Sequence, residues 1–198
     1  EDLTDPGNVL KNTVYALRKA FKSAKSPAES PILYENGGYI CNPAIRFEVD
    51  AEDFEKKIKH ALSETGEDRI TLLDEAADLY KGGMLPQMEN ESWIMPLGLY
   101  YRQLYSDCVN ALCCDLHGQQ RYNEMLAAAT AASRIDPLEE SFYLYVFQAL
   151  YALEMYRAII PAYHKASRLF SEELGPTPGE DLQAIYTAAA EPVDTIHQ

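Results

Sequence analysis

Lys11, Asn12, Tyr15, Arg18, Lys19 and Lys22 lie in one short stretch, with cations recurring three and four residues apart. Lysine and arginine neutralise phosphates, and Asn or Arg can pair with two atoms of a base edge in the major groove. At that spacing the six residues share one side of a helix. From Asn8 to Lys25 the sequence holds five cations (Lys11, Arg18, Lys19, Lys22 and Lys25) and no acid. Contact with duplex DNA is one reading of such a face. A solvated basic surface is the other, and spacing alone leaves both open.

The net charge of -14 argues against nucleic acid for the chain as a whole. The distribution of that charge argues otherwise for one part of it. Residues 1–46 carry six Lys/Arg and five Asp/Glu, whereas the remainder carries 11 Lys/Arg against 26 Asp/Glu. A small basic helix is joined to a large acidic body, and the two need separate explanations. No GxSxG, Walker A, HExxH or GxGxxG motif occurs, and His60, His117, His164 and His197 are scattered away from any metal or triad spacing. Neither an enzyme nor a metal or cofactor is expected. Cys41, Cys108, Cys113 and Cys114 show no zinc spacing. They read as free, reduced core thiols of a cytoplasmic protein. With no run of 18 apolar residues, no membrane span is expected. The chain opens at Glu1-Asp2 without Met, which suggests a portion of something longer.

The elements that must position these residues follow from periodicity and breakers. Asp5-Pro6-Gly7-Asn8 is helix-start chemistry, and Leu10, Val14, Leu17 and Phe21 form an apolar stripe beside the basic one, giving a helix over 8–25. Ser26-Pro27 and Ser30-Pro31 break it. Ile32 to Tyr34 and Tyr39 to Cys41 read as a hairpin about Asn36-Gly37-Gly38, with a further strand at Ile45–Val49. Asp50 and Asp53 suggest a capping box opening a helix over 50–64, and a second helix spans 67–80 before Lys81-Gly82-Gly83. From Glu91 onward helices are expected over 91–117, 120–135, 138–153, 155–173 and 179–190.

Tyr122 to Ile135 (YNEMLAAATAASRI) and Tyr156 to Leu169 (YRAIIPAYHKASRL) are related at an offset of 34 residues, the period of a TPR unit. Small residues at Ala128/Ala162 and Ala132/Ala166 let helices approach closely, while Met125/Ile159 and Ile135/Leu169 supply bulk. Such pairs bury their faces by stacking. Trp93, Leu97, Tyr100, Tyr101 and Leu104 follow helical spacing and resemble the packing residues of a first TPR helix, with an aromatic ligand box as the sharper alternative. Tyr143, Tyr145, Tyr151, Tyr156 and Tyr163 bury well with wet hydroxyls, and a groove lined by some of them would suit a peptide.

The stretch Asn8 to Phe21, followed by Gly37-Gly38-Tyr39-Ile40, resembles the recognition helix and wing of response-regulator-type winged helices. Val49-Asp50 with Phe54, Leu79-Tyr80-Lys81-Gly82, Trp93, Asp136-Pro137-Leu138-Glu139-Glu140 and Glu173-Leu174-Gly175-Pro176-Thr177-Pro178 then arrive in an order that resembles the bacterial transcriptional activator domain of SARP-type regulators. The first half of that family's winged helix is absent, as are its effector modules. The resemblance implies a mainly α fold: a partial winged helix over 1–48, then a TPR-like helical bundle over 49–198. It implies that Lys11, Asn12, Tyr15, Arg18, Lys19 and Lys22 face double-stranded promoter DNA in the full-length protein. RNA polymerase, the regulator's own effector module or a second copy would meet the helical domain. The rival reading is a TPR-like protein-interaction scaffold without DNA binding, and a weaker one is a small-molecule sensor with a tyrosine-lined pocket.

Overall fold

The computed structural model describes residues 5–23, 30–175 and 178–195, and it divides the chain into two compact units, Glu1–Glu48 and Val49–Gln198. Ser26-Pro27, Lys25, Pro176-Thr177 and His197 lie outside the described residues.

In the first unit, helix α1 (Pro6–Ser23) starts where the Asp5 carboxylate accepts the Gly7 amide at 2.9 Å. Proline at the first helical position costs nothing, because that amide would have no partner within the helix. Strands β1 (Ile32–Glu35) and β2 (Gly38–Cys41) pair antiparallel, Ile32 opposite Cys41 and Glu35 opposite Gly38. Asn36 and Gly37 take φ of 51° and 83°, the left-handed pair whose twist matches that of the strands. The strand expected at Ile45–Val49 does not form. Asn42 turns the chain directly after β2, its carboxamide accepting the Ala44 amide at 2.9 Å and its carbonyl the Ile45 amide at 3.0 Å.

The second unit runs α2 (Asp50–Ala61), α3 (Gly66–Leu79), a short 3-10 turn (Pro86–Met88), α4 (Met95–Gly118), α5 (Tyr122–Ile135), α6 (Glu140–Ala152), α7 (Tyr156–Glu173) and α8 (Glu180–Thr195). The capping box at Asp50/Asp53 is not made. Val49 is the cap residue without a side-chain bond, Asp50 accepts the adjacent Ala51 amide, and Asp53 faces Lys56. The helix begins with Val49 at the cap, so Asp50 is already its first residue and stands one position past the one from which a capping side chain reaches the third amide. Helix α4 starts at Met95 rather than 91, with Pro96 in its first turn, where a missing amide hydrogen is tolerated.

The 34-residue period extends to the backbone. Gln120 and Glu154 both adopt a left-handed conformation, with φ of 59° and 60°. At each, the next amide bonds back to the carbonyl five residues earlier: Arg121 to Leu116 at 2.9 Å and Met155 to Leu150 at 2.8 Å. This is a Schellman turn with a non-glycine residue at the left-handed position. Helices α5 and α7 therefore leave equivalent turns, and their inward residues match: Met125 and Ile159, and Ala132 and Ala166, are all buried.

Helix α6 lies between two cores. Phe142 and Ala149 belong to the cluster built by α2 to α5, whereas Phe147 and Leu150 belong to the cluster built with α7 and α8. In the first, rings form a ladder. Phe54 lies 5.8 Å from Tyr80, Tyr80 stacks on Tyr105 at 4.3 Å, and Tyr105 meets the edge of Phe142 at 6.0 Å. Polar ties join the helices at their margins. Arg69 meets Asp115 at 2.7 Å, and Arg102 grips Asp136 through two bonds of 2.5 and 2.8 Å. The Glu140 carboxylate accepts the Gly179 amide at 2.7 Å, tying the start of α6 to that of α8.

All four cysteines are free, but they are not equivalent. Cys108 and Cys113 are buried, and burial pushes both thiols up to about 12. Cys41 and Cys114 are exposed, so the expectation of core thiols holds for two of the four. Cys114 sits one residue past the buried stripe of α4, with its sulfur 3.2 Å from the Tyr145 hydroxyl. A thiol reagent is expected to label Cys41 and Cys114 in the native protein and the other two only after denaturation. Uniform labelling of the native chain would contradict this packing.

Candidate nucleic-acid interface

Helix α1 presents two faces. Val14 is buried and Phe21 half-buried, whereas Leu10 and Leu17 on the same stripe stay 52% and 43% exposed. The apolar stripe expected to anchor the helix is thus only partly covered. On the other side Lys11, Asn12, Tyr15, Lys19 and Lys22 are all exposed, Tyr15 by 70%. Lys11, Lys19 and Lys22 make no ion pair among the described residues. Their charge is therefore available to a partner.

Arg18 differs from its neighbours. It is half-buried, and its Nε and Nη2 both donate to the Ile32 carbonyl of β1, at 3.2 and 2.7 Å. Its guanidinium lies 6.0 Å from the centre of the Tyr39 ring, which packs against Tyr34 at 5.0 Å. Ser30 donates to the same carbonyl at 2.8 Å, and the buried Asn42 bonds the Ser30 carbonyl at 2.9 Å. Between α1 and β1 is a cavity of 470 Å³ whose lining includes Tyr15, Arg18, Lys19, Lys22 and Ser30. Of the six residues expected from the sequence, Tyr15, Arg18, Lys19 and Lys22 line this cavity and Lys11 and Asn12 do not; five of the six are exposed and Arg18 is engaged inward. Ser30 and Asn42 were not legible as part of the site. An Asn directly after a strand is the signal that marks such a turn. The hairpin tip, Glu35-Asn36-Gly37, carries no cation.

The other aromatic candidates do not converge. Trp93, Leu97 and Tyr100 are exposed, Trp93 by 55%, whereas Tyr101 and Leu104 pack against the first core as expected of a TPR-like helix. Each tyrosine of the expected groove has its own neighbour. Tyr143 donates to the Pro137 carbonyl, Tyr145 meets Cys114, Tyr151 meets Tyr156, and Tyr163 stacks on Tyr186. Among the described residues no group of three His, Cys, Asp or Glu side chains is placed to hold a metal ion, and no helix is long and apolar enough to cross a membrane.

Comparison with known proteins bears on the second unit and on the fold. The family model described as the bacterial transcriptional activator domain matches residues 49–189. Among solved structures, the chain is similar to Mycobacterium tuberculosis EmbR in complex with a low affinity phosphopeptide. The TM-score is 0.57 and the identity 16%, over 98% of this chain and 56% of that one. At that identity the likeness is one of fold, and the chain spans little more than half the length of the protein it matches. No curated protein matches the sequence.

Proposed function

The chain belongs to the bacterial transcriptional activator domain family, and on that premise we propose that it is part of a SARP-type transcription regulator that holds promoter DNA through α1. The family is one of transcriptional activators and not a class of enzymes, and no catalytic role is assigned to the chain. The observation that carries the DNA reading is the exposed row Lys11, Asn12, Tyr15, Lys19 and Lys22, free of internal ion pairs among the described residues and lacking acids between its members. Lysines on such a row neutralise phosphates and fix register, while Asn12 has the paired donor and acceptor that reads adenine. The helical unit supplies protein contact. Exposed Leu85, Met88, Trp93, Met95 and Leu99 give it an apolar surface of the kind that meets RNA polymerase, an effector module or a second copy.

The test is fluorescence anisotropy of the full-length protein on its own upstream DNA across a salt series. Binding is expected to weaken with salt, the logarithmic slope growing by about 0.9 for each phosphate contacted. It should also exceed binding to unrelated duplex DNA. A well-folded protein that binds neither would leave the scaffold reading, in which the apolar surface alone carries function.

A further inference from the structure

We infer that Arg18, although it sits in the basic row, is a positioning residue that pins the hairpin to α1 instead of gripping DNA. This rests on the reading of α1 as the DNA-binding helix. The Nε–Nη2 edge of a guanidinium is one of the planar forks that grip a phosphate or the O6 and N7 of guanine. In Arg18 that edge is spent on the Ile32 carbonyl. The charge also lies beside the Tyr39 ring of the opposite strand, so one side chain touches both strands of the hairpin.

The attachment point is the base of the hairpin and not its tip, because Ile32 pairs with Cys41 at the end far from Asn36-Gly37. Ser30 converges on the same carbonyl, and Asn42 ties Ser30 from the far side of β2. Two side chains, Arg18 and Ser30, therefore secure the Ile32 carbonyl opposite the C-terminal half of α1, and Asn42 holds the Ser30 backbone beside it. The cavity between α1 and β1 keeps its width through this brace, with Lys19 and Lys22 on its wall. Loss of the brace would release the hairpin from the helix while leaving every exposed cation of α1 in place. A lysine at position 18 would keep the charge but present a single point donor where two parallel N–H groups are needed.

Two measurements on the full chain test this. The first needs no DNA: amide hydrogen exchange over residues 32–41 in wild type, R18K and R18A. Exchange is expected to quicken about tenfold or more in both variants, as befits the loss of a charge-assisted bond, with α2 to α8 unchanged. Unchanged hairpin exchange would overturn the tether, whatever the protein does with DNA. The second is the salt dependence of promoter binding. R18A and R18K are both expected to lose about tenfold in affinity with the salt slope of wild type, whereas K22A lowers the slope by about 0.9. A lowered slope in R18A together with restored affinity in R18K would make Arg18 a phosphate contact and overturn the proposal. If wild type bound no DNA, the reading of α1 would fail, and the exchange measurement would still decide the tether.

Discussion

Replacing Phe142 with alanine is expected to destabilise the Val49–Gln198 unit by about 3–5 kcal/mol, the range for a fully buried aromatic ring. Phe142 is completely buried and ends the ladder that runs through Tyr105 and Tyr80 to Phe54. It brings α6 against the cluster formed by α2 to α5, while Phe147 on the same helix serves the other cluster. The void left by the ring would be lined by Tyr105, whose stack on Tyr80 restricts how far it can shift to fill the space. For a protein of this size each kcal/mol lowers Tm by about 2–4 °C, so a fall of roughly 10 °C is anticipated. Denaturation by guanidinium, followed by circular dichroism, should show the midpoint moving with little change in slope. Leu99→Ala, at an exposed position of α4, should stay within about 0.5 kcal/mol of wild type. Equal effects from the two substitutions would mean that the ladder is not where the unit gains its stability.

Removing Lys11, Lys19 and Lys22 together is expected to abolish most promoter affinity while leaving the fold intact. Each cation that displaces a counterion contributes about 0.9 to the salt slope, which at ~0.15 M salt corresponds to roughly fivefold in affinity. Three acting together give about 100-fold weaker binding and a slope shallower by about 2.7. The fold should survive because all three are exposed and make no ion pair among the described residues. The measurement is anisotropy of the full-length triple variant on promoter DNA, with its circular dichroism spectrum alongside. Binding as tight as wild type would reduce the basic row to a solvated surface and move the function to the helical unit.

Part of the fold was readable from residue types and spacing alone. The alanines at 128, 132, 162 and 166 and the bulky residues beside them announced a repeat, because close helix approach demands small side chains at fixed spacing. The hairpin turn was equally legible, since Asn-Gly is the pair that tolerates two left-handed residues. The end of α4 at Gly118 was legible too, but the left-handed residue that turns the chain is Gln120, two positions on. Its conformation is matched by Glu154, with no glycine to advertise either. The capping box at Asp50 failed because the helix begins with Val49 at the cap, one residue earlier, a register that residue classes alone do not express.

The candidate site divides in the same way. Types and spacing placed Lys11, Asn12, Tyr15, Arg18, Lys19 and Lys22 on one side of a helix, because a helical period is a local property of the chain. They could not tell that Arg18 turns inward to a carbonyl fourteen residues away while its five neighbours remain at the surface. Nor could they tell that Trp93 and Tyr100 stay exposed while Tyr105 and Phe142 are buried. Every one of these is aromatic and lies in or near a helix. Sequence determined the elements and their polarity, since these follow from interactions within a few residues. Tertiary structure decided which member of each pattern is engaged, because burial depends on partners that are distant along the chain and adjacent only once it has folded.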